Sequence, residues 1–410
     1  MGLASAMTTR WPDLKRLGLV RSVISALVVL LFVAFPCLGA ASPTSGSTSL
    51  IVEGNRVYAE LVFVCPDGTQ RPALAFVDLG SPSMIVSEAL FEKLQLDQKQ
   101  QVTFHVGDMP VHVEASSVTK DSWLPFPIGG NRKVEALLPA GVMRDFQVVI
   151  DYGQHSLRLA KAGTLKPEGT PVPIRVSQAT GLITVHAVVD GTLYPVAIDC
   201  GSAYTWLRKT TAQTWLAVHA EWERGIGAVG PSNMRMADDG VEATGTLLRI
   251  PEIQVGSLRL TQSGALAIGP SKTKWDFMDW YSKKTPEPVI GWLGGNVLRD
   301  FRITIDYPDR KSYWLREAEP DPHDLEQVGL TLKSEQGAYF VAAVVTQKGN
   351  ATVQGVEPGD KLLEIDGQQT KAATWGAIFA ALHGKPGELR ALVLERDGKR
   401  FTVQARVMSF

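Results

Sequence analysis

Short alternating runs of apolar and polar residues, broken by Gly, Pro and Asp, dominate the chain from about residue 50 onward. That is the period of strands with one buried face. Strands are predicted over 57–65 and 71–77, flanking the turn Pro66-Asp67-Gly68, and over 183–189 and 193–198, flanking Asp190-Gly191. Asp-Gly pairs accept the positive φ that tight hairpins require. Apolar residues at helical spacing are scarce, and 87–96, 210–223 and 374–382 are the helix candidates. The expected fold class is mainly β.

The chain also repeats itself. Residues 138–152 align without gaps on 293–307, with eight of fifteen positions identical, where chance would give about one. In each copy a strand (146–150, 301–305) runs into Asp-Tyr and a turn, then into a second strand (156–159, 312–315). Upstream, each hairpin delivers its second strand into a related tetrapeptide, Asp78-Leu79-Gly80-Ser81 and Asp199-Cys200-Gly201-Ser202. Two homologous β-lobes are therefore predicted, over 50–162 and 172–317, with 42–49 a polar tether and 166–173 a Pro-containing linker. Acidic and proline residues at 317–324 interrupt the β pattern, and 325–410 remains as one small module.

The first 41 residues differ from the rest. Arg10, Lys15, Arg16 and Arg21 precede the apolar run 23–35, and Gly39-Ala40-Ala41 follows. Basic, apolar, then small is the order of a secretory signal peptide. The run falls short of the ~20 residues that span a bilayer. The expectation is export to a periplasmic or extracellular space; an uncleaved, membrane-anchoring segment is the alternative. Removal of 1–41 would shift the formal charge from −1 to −4. With 41 Lys+Arg against 42 Asp+Glu and no basic block, a nucleic-acid partner is not expected. Three cysteines cannot form a disulfide scaffold, and no CxxC or HExxH spacing points to a metal. After loss of 1–41, Cys65 and Cys200 remain, read as free thiols.

A carboxylate on a tight Asp-x-Gly turn at a strand end is held rigidly, and glycine there lets backbone approach closely. Two such loops facing each other would set Asp78 and Asp199 within hydrogen-bonding distance. Like charges that close do not both ionise, so one proton is shared. One carboxylate then draws a proton from a bound water while the other protonates a substrate carbonyl. Neither a nucleophile, a cofactor nor a metal is needed.

With Ala75-Phe76-Val77-Asp78-Leu79-Gly80-Ser81, Ala197-Ile198-Asp199-Cys200-Gly201-Ser202 and the apolar-apolar-Gly run 289–298, the chain resembles the retropepsin-like aspartic proteases in fused two-lobe form. The resemblance covers about 265 residues. It implies that Asp78 and Asp199 form the dyad, that Gly80, Gly201 and Gly294 support it, and that the Ser81 and Ser202 hydroxyls bond the outer carboxylate oxygens. It also implies a mobile flap over 225–245 and an extended polypeptide substrate between the lobes. The family usually has Thr or Ser between Asp and Gly, where this chain has Leu79 and Cys200, and the position matching Gly294 in the first copy is Pro139. These departures keep a second reading open: a catalytically inactive peptide-binding or scaffold protein of the same architecture.

Other signals carry less. Gly225 to Gly230 spells GxGxxG but follows a predicted helix instead of a strand, so the nucleotide-binding context is missing. Ser271 to Lys274 spells SxxK without a companion motif. Trp275, Trp280, Tyr281 and Trp292 make the approach to Gly294 aromatic, as lobe core or as an apolar cleft.

In the last module, Gln327 to Leu332 begins a strand, and Gly355 to Gly367 joins a Pro-Gly turn to an alternating strand and an Asp-Gly turn. This run resembles a PDZ domain of the bacterial protease-associated kind. The resemblance implies that backbone N–H groups of Gly329, Leu330, Thr331 and Leu332 hold a peptide or protein C-terminus, which adds as a strand at the sheet edge. Residues 374–382 would line the groove.

Overall fold

Both copies of the repeat begin at the same crossed arrangement of three strands. In the first, Gln70–Asp78 runs toward the Asp78 loop and Met84–Ser87 returns. The short strand Ala136–Pro139 lies between them, parallel to one and antiparallel to the other. In the second, Gly291–Leu293 lies in the same way between Thr192–Ile198 and Thr205–Arg208. The computed structural model describes residues 43–121, 132–234, 240–271 and 276–410. The predicted signal segment 1–41 lies outside the described residues, as do Trp275, residues 272–274 of the SxxK match and 235–239 of the predicted flap.

After each crossing strand a one-turn helix, Ala140–Met143 or Gly295–Leu298, leads into the strand that ends the repeat. Those two strands, Gln147–Asp151 and Phe301–Asp306, pair antiparallel with each other. Their register sets Val149 opposite Thr304, which are matched positions of the repeat. A pairing in which equivalent residues face each other is self-complementary, the signature of two-fold symmetry. The two halves are thus related about this strand pair. The sheet that contains it has 13 strands among the described residues. Phe301, Ile303, Ile305, Val148, Ile150, Leu157 and Leu159 are buried against it, with Trp314 edge-on to Phe301 at 5.3 Å.

Two predicted connectors are strands instead. Ser45–Glu53 lies where a polar tether was expected, pairing with Ser156–Ala160 and then with Arg56–Val64. Its Gly46 has weak strand preference, and the ladder supplied by two neighbours overrides it. Thr170–Pro173, inside the expected linker, pairs with Lys311–Arg316. Pro171 and Pro173 lack an N–H, which is tolerated because this strand ends the sheet. The helix expected over 210–223 spans Lys209–Leu216 only; a 3₁₀ turn and the strand Glu223–Ile226 follow.

At the C-terminus, Glu326–Val328, Leu330–Glu335, Ala338–Val344, Lys361–Ile365, Leu389–Arg396 and Lys399–Ser409 build a sheet of seven strands, counting Gln368–Gln369. Leu330–Glu335 ends that sheet. Gly329 separates the first two strands, which had been expected as one. The helix Trp375–Leu382 is capped by the Thr374 hydroxyl. It buries Trp375, Ile378, Phe379 and Leu382, the spacing of a single helical face.

This module is joined to the rest by an apolar cluster in which Leu325, Val345 and Phe410 pack with Ala228, Val229, Met234, Tyr204 and Trp292. Beside it, the Arg249 guanidinium forms an ion pair with Asp324 at 2.8 Å and donates to the Phe410 carbonyl at 3.0 Å. Both side chains of the pair are only 5% exposed. Arg249→Met would leave the Asp324 carboxylate buried and unpaired. The expected cost is about 3–5 kcal/mol in urea unfolding. A loss below about 1 kcal/mol, typical of an exposed pair, would contradict that role.

Candidate functional site

Asp78 ends the strand Gln70–Asp78, and Asp199 directly follows the strand Thr192–Ile198. Both are buried, at 7% and 2% exposure. The two loops face each other so closely that each glycine lies under the other loop's carboxyl group. A Cβ on Gly80 would stand 2.3 Å from an Asp199 oxygen, and one on Gly201 would stand 2.4 Å from an Asp78 oxygen. Glycine is required here for contact across the pair. The two carboxyl groups therefore act directly on each other.

Backbone amides hold the pair from below. Gly80 N–H donates to Asp78 Oδ1 at 2.8 Å, while Gly201 and Ser202 N–H donate to Asp199 Oδ1 at 2.9 and 3.2 Å. The serine hydroxyls do not do so. Ser81 Oγ donates to the Ser83 carbonyl, and Ser202 Oγ donates to the Tyr204 carbonyl and accepts from Trp292 Nε1. The expected hydroxyl–carboxylate bonds are therefore replaced by bonds within each loop. A backbone carbonyl two residues on is the nearer acceptor for a serine in a turn.

Cys200 takes the place of the cross-loop hydroxyl. Its thiol donates to the Val77 carbonyl at 3.4 Å, and the Leu79 N–H bonds its sulfur. Leu79 itself is fully buried in the apolar core. One loop is thus tied to the other by sulfur, and the reverse tie is replaced by packing. Gly294 has a different task. A Cβ there would stand 2.3 Å from the Tyr204 carbonyl, so the crossing strand needs glycine to pass the returning one. Asn296 secures that crossing by accepting from Thr205 N–H at 2.8 Å. At the matching position of the first copy, Pro139 lies beside Asp78 at the end of its strand.

Sequence reading missed Arg56. It is 2% exposed, and its charge acts on both aspartates. Its guanidinium donates to the Met234 carbonyl. A lone basic residue after a Gly-Asn turn reads as a solvated strand start, so pattern alone gave no signal. Burial raises both carboxyl pKa values. Asp78 reaches about 6, opposed by the Gly80 N–H and by Arg56, and Asp199 goes well above the usual range, pushed further by the Asp78 charge. Such a pair titrates as a unit.

The aromatic approach is core on its inner side, with Trp292 and Tyr281 buried and 5.1 Å apart, whereas Trp280 is 43% exposed. Cys65 and Cys200 are free thiols. The predicted flap is not a free hairpin in its described part. Residues 227–234 are buried except for partly exposed Pro231, because they lie against the C-terminal module. There the Thr331 hydroxyl bonds both the N–H and the carbonyl of Ala228, at 3.0 and 2.8 Å, and Asn233 Nδ2 donates to the Leu332 carbonyl at 2.8 Å. Gly329 packs on Thr352 and Phe410, and Leu330 is buried.

Residues 320–394 match the PDZ domain family, a peptide-recognition module. The chain is also similar to a protein of Mesorhizobium japonicum provisionally named a zinc metalloprotease, 35% identical over 65 residues. That stretch is 16% of this chain and spans 17% of the relative's length. Among the described residues, no group of three His, Cys, Asp or Glu side chains is arranged to hold a metal ion.

Two outcomes follow from the facing loops. Gly201→Ala drives a methyl group into Asp78; the expected cost is about 1–3 kcal/mol in chemical denaturation, and a neutral effect would contradict the close approach. The raised pKa values also set a pH dependence. The folded pair keeps protons that the unfolded chain releases in the ordinary carboxylate range. Its contribution to stability is full at low pH and is lost as pH rises through about 6 and beyond. The urea midpoint should therefore fall between about pH 4 and pH 8. Asp199→Asn should remove much of that fall, and equal pH dependence in both proteins would contradict the assignment.

Proposed function

We propose that the protein is an exported aspartic endopeptidase, with the predicted two lobes contributing one aspartate each and the PDZ domain recognising peptides. The observation that supports hydrolysis most is the close approach of the buried Asp78 and Asp199 carboxyl groups on two facing Asp-x-Gly loops. A pair holding one proton carries a base and an acid side by side. A water bound to it gives a proton to the ionised carboxylate as its oxygen attacks the peptide carbonyl carbon. The protonated carboxyl gives its proton to the carbonyl oxygen, so the tetrahedral intermediate is a neutral diol. Collapse breaks the C–N bond as the nitrogen takes the proton from the pair and one diol hydroxyl returns its proton to the pair, so that an acid and an amine leave and the starting protonation state is restored.

Arg56 suits this chemistry because its charge favours one ionised carboxylate in a site whose burial disfavours any. The Cys200 tie keeps the loops together without a hydroxyl. A non-hydrolytic, peptide-binding role is the second reading, and Leu79, which offers no hydrogen bond where the resembling family has a hydroxyl, is the feature that favours it.

Incubation with an unfolded protein mixture across acid to neutral pH tests the proposal. Cleavage is expected on the acid side. Asp78→Asn and Asp199→Asn should each lower it by about 10²–10⁴-fold, the usual share of positioned acid–base groups. Cleavage that survives either substitution would contradict the proposed dyad.

A further inference from the structure

The groove of a PDZ domain runs between its edge strand and its helix, here Leu330–Glu335 and Trp375–Leu382. Both walls touch residues of the chain's own upstream half. Ala228 and Asn233 bond the strand side through Thr331 and the Leu332 carbonyl. The 3₁₀ turn Gly230–Ser232 packs on the helix. Gly230 fits only because it lacks a side chain: a Cβ there would stand 2.9 Å from the Gln327 amide. Val229, Ser232 and Asn233 are at most 1% exposed.

The same segment reaches the aspartates at its other end. The Met234 carbonyl accepts from Arg56, and Met234 sulfur lies 2.8 Å from Ser202 Oγ and 3.3 Å from the Tyr204 amide. One stretch of eight residues thus touches both the edge strand and the helix and props the Asp199 loop. Yet it holds the groove by side-chain bonds, without a backbone ladder. Among the described residues no strand pairs with the outer edge of Leu330–Glu335. An extended peptide that added there as a strand would make the ladder that this segment lacks.

We propose that residues 227–234 are a built-in occupant of the PDZ groove, and that a peptide entering the groove expels them and so releases Met234 from Arg56 and Ser202. The consequence for hydrolysis rests on the function proposed above; the occupancy does not.

The test uses the whole protein and, as probe, a dye-labelled octapeptide with the sequence of residues 227–234. Asn233→Ala removes the bond to Leu332, and Gly230→Ala strains a backbone at φ +47°. Either should bind the probe at least about tenfold more tightly than the unsubstituted protein. Ala228→Cys combined with Thr331→Cys locks the segment in place. The oxidised form should not bind the probe, and reduction should restore binding, so the comparison does not depend on how well the weakened variants fold. Equal affinity in the oxidised and reduced forms, or in the unsubstituted protein and both single variants, overturns the proposal. Cleavage of unfolded protein should rise on reduction of the locked form. Reversible probe binding with no cleavage in any form would overturn the hydrolase reading and leave the groove's occupancy standing.

Discussion

Two carboxyl groups buried in contact can exist only if a proton lies between them, and the fold around Asp78 and Asp199 meets that constraint. Desolvation and the neighbouring charge make double ionisation costly. Amides of Gly80, Gly201 and Ser202 and the charge of Arg56 make one ionisation acceptable. Everything nearby follows from bringing the loops that close. Gly80 and Gly201 are glycines because each carries the opposite carboxyl group on its bare Cα, and Cys200 bridges to Val77 because the loops meet there. The strands Gln147–Asp151 and Phe301–Asp306 then fix the two halves about a common axis, with Val149 facing Thr304.

The C-terminal domain is attached to the same centre along two routes. One is the segment ending at Met234. The other is the turn before Arg56, where Glu53 bonds the Thr374 hydroxyl and Gly54 packs on Phe379, at the helix that lines the groove. Both routes end on Arg56, whose charge acts on the pair. A change at the groove therefore has a short physical path to the protonation of the aspartates, through packed side chains and hydrogen bonds.

The repeat, the hairpins and the Asp-x-Gly loops were legible because each is local: apolar alternation, a turn dipeptide and a glycine fall within a dozen residues. The PDZ domain was legible for the same reason, its turns spaced along one strand. What escaped is long-range. Ser45–Glu53 is a strand because residues 156–160 lie beside it, which a run of small polar residues without apolar alternation does not announce. Arg56 is buried where its guanidinium meets the Met234 carbonyl and the charges of Glu242, Asp199 and Asp78 act on it. The glycines at 225, 227 and 230 read as a flexible loop, and GxGxxG as a coincidence. Gly230 and Gly227 instead admit Gln327 and Val345 of a domain some hundred residues later. The serine hydroxyls were misassigned because resemblance supplies a role, while the turn geometry of this chain supplies a nearer acceptor.

The shared proton is open to direct observation. With carboxyl-carbon labels in aspartate, NMR titration of the whole protein should show Asp78 and Asp199 responding together, one proton retained by the pair well above the ordinary carboxylate range. Asp78→Asn should abolish the joint response at Asp199. Two independent titrations near the ordinary aspartate value of about 3.9 would contradict the account.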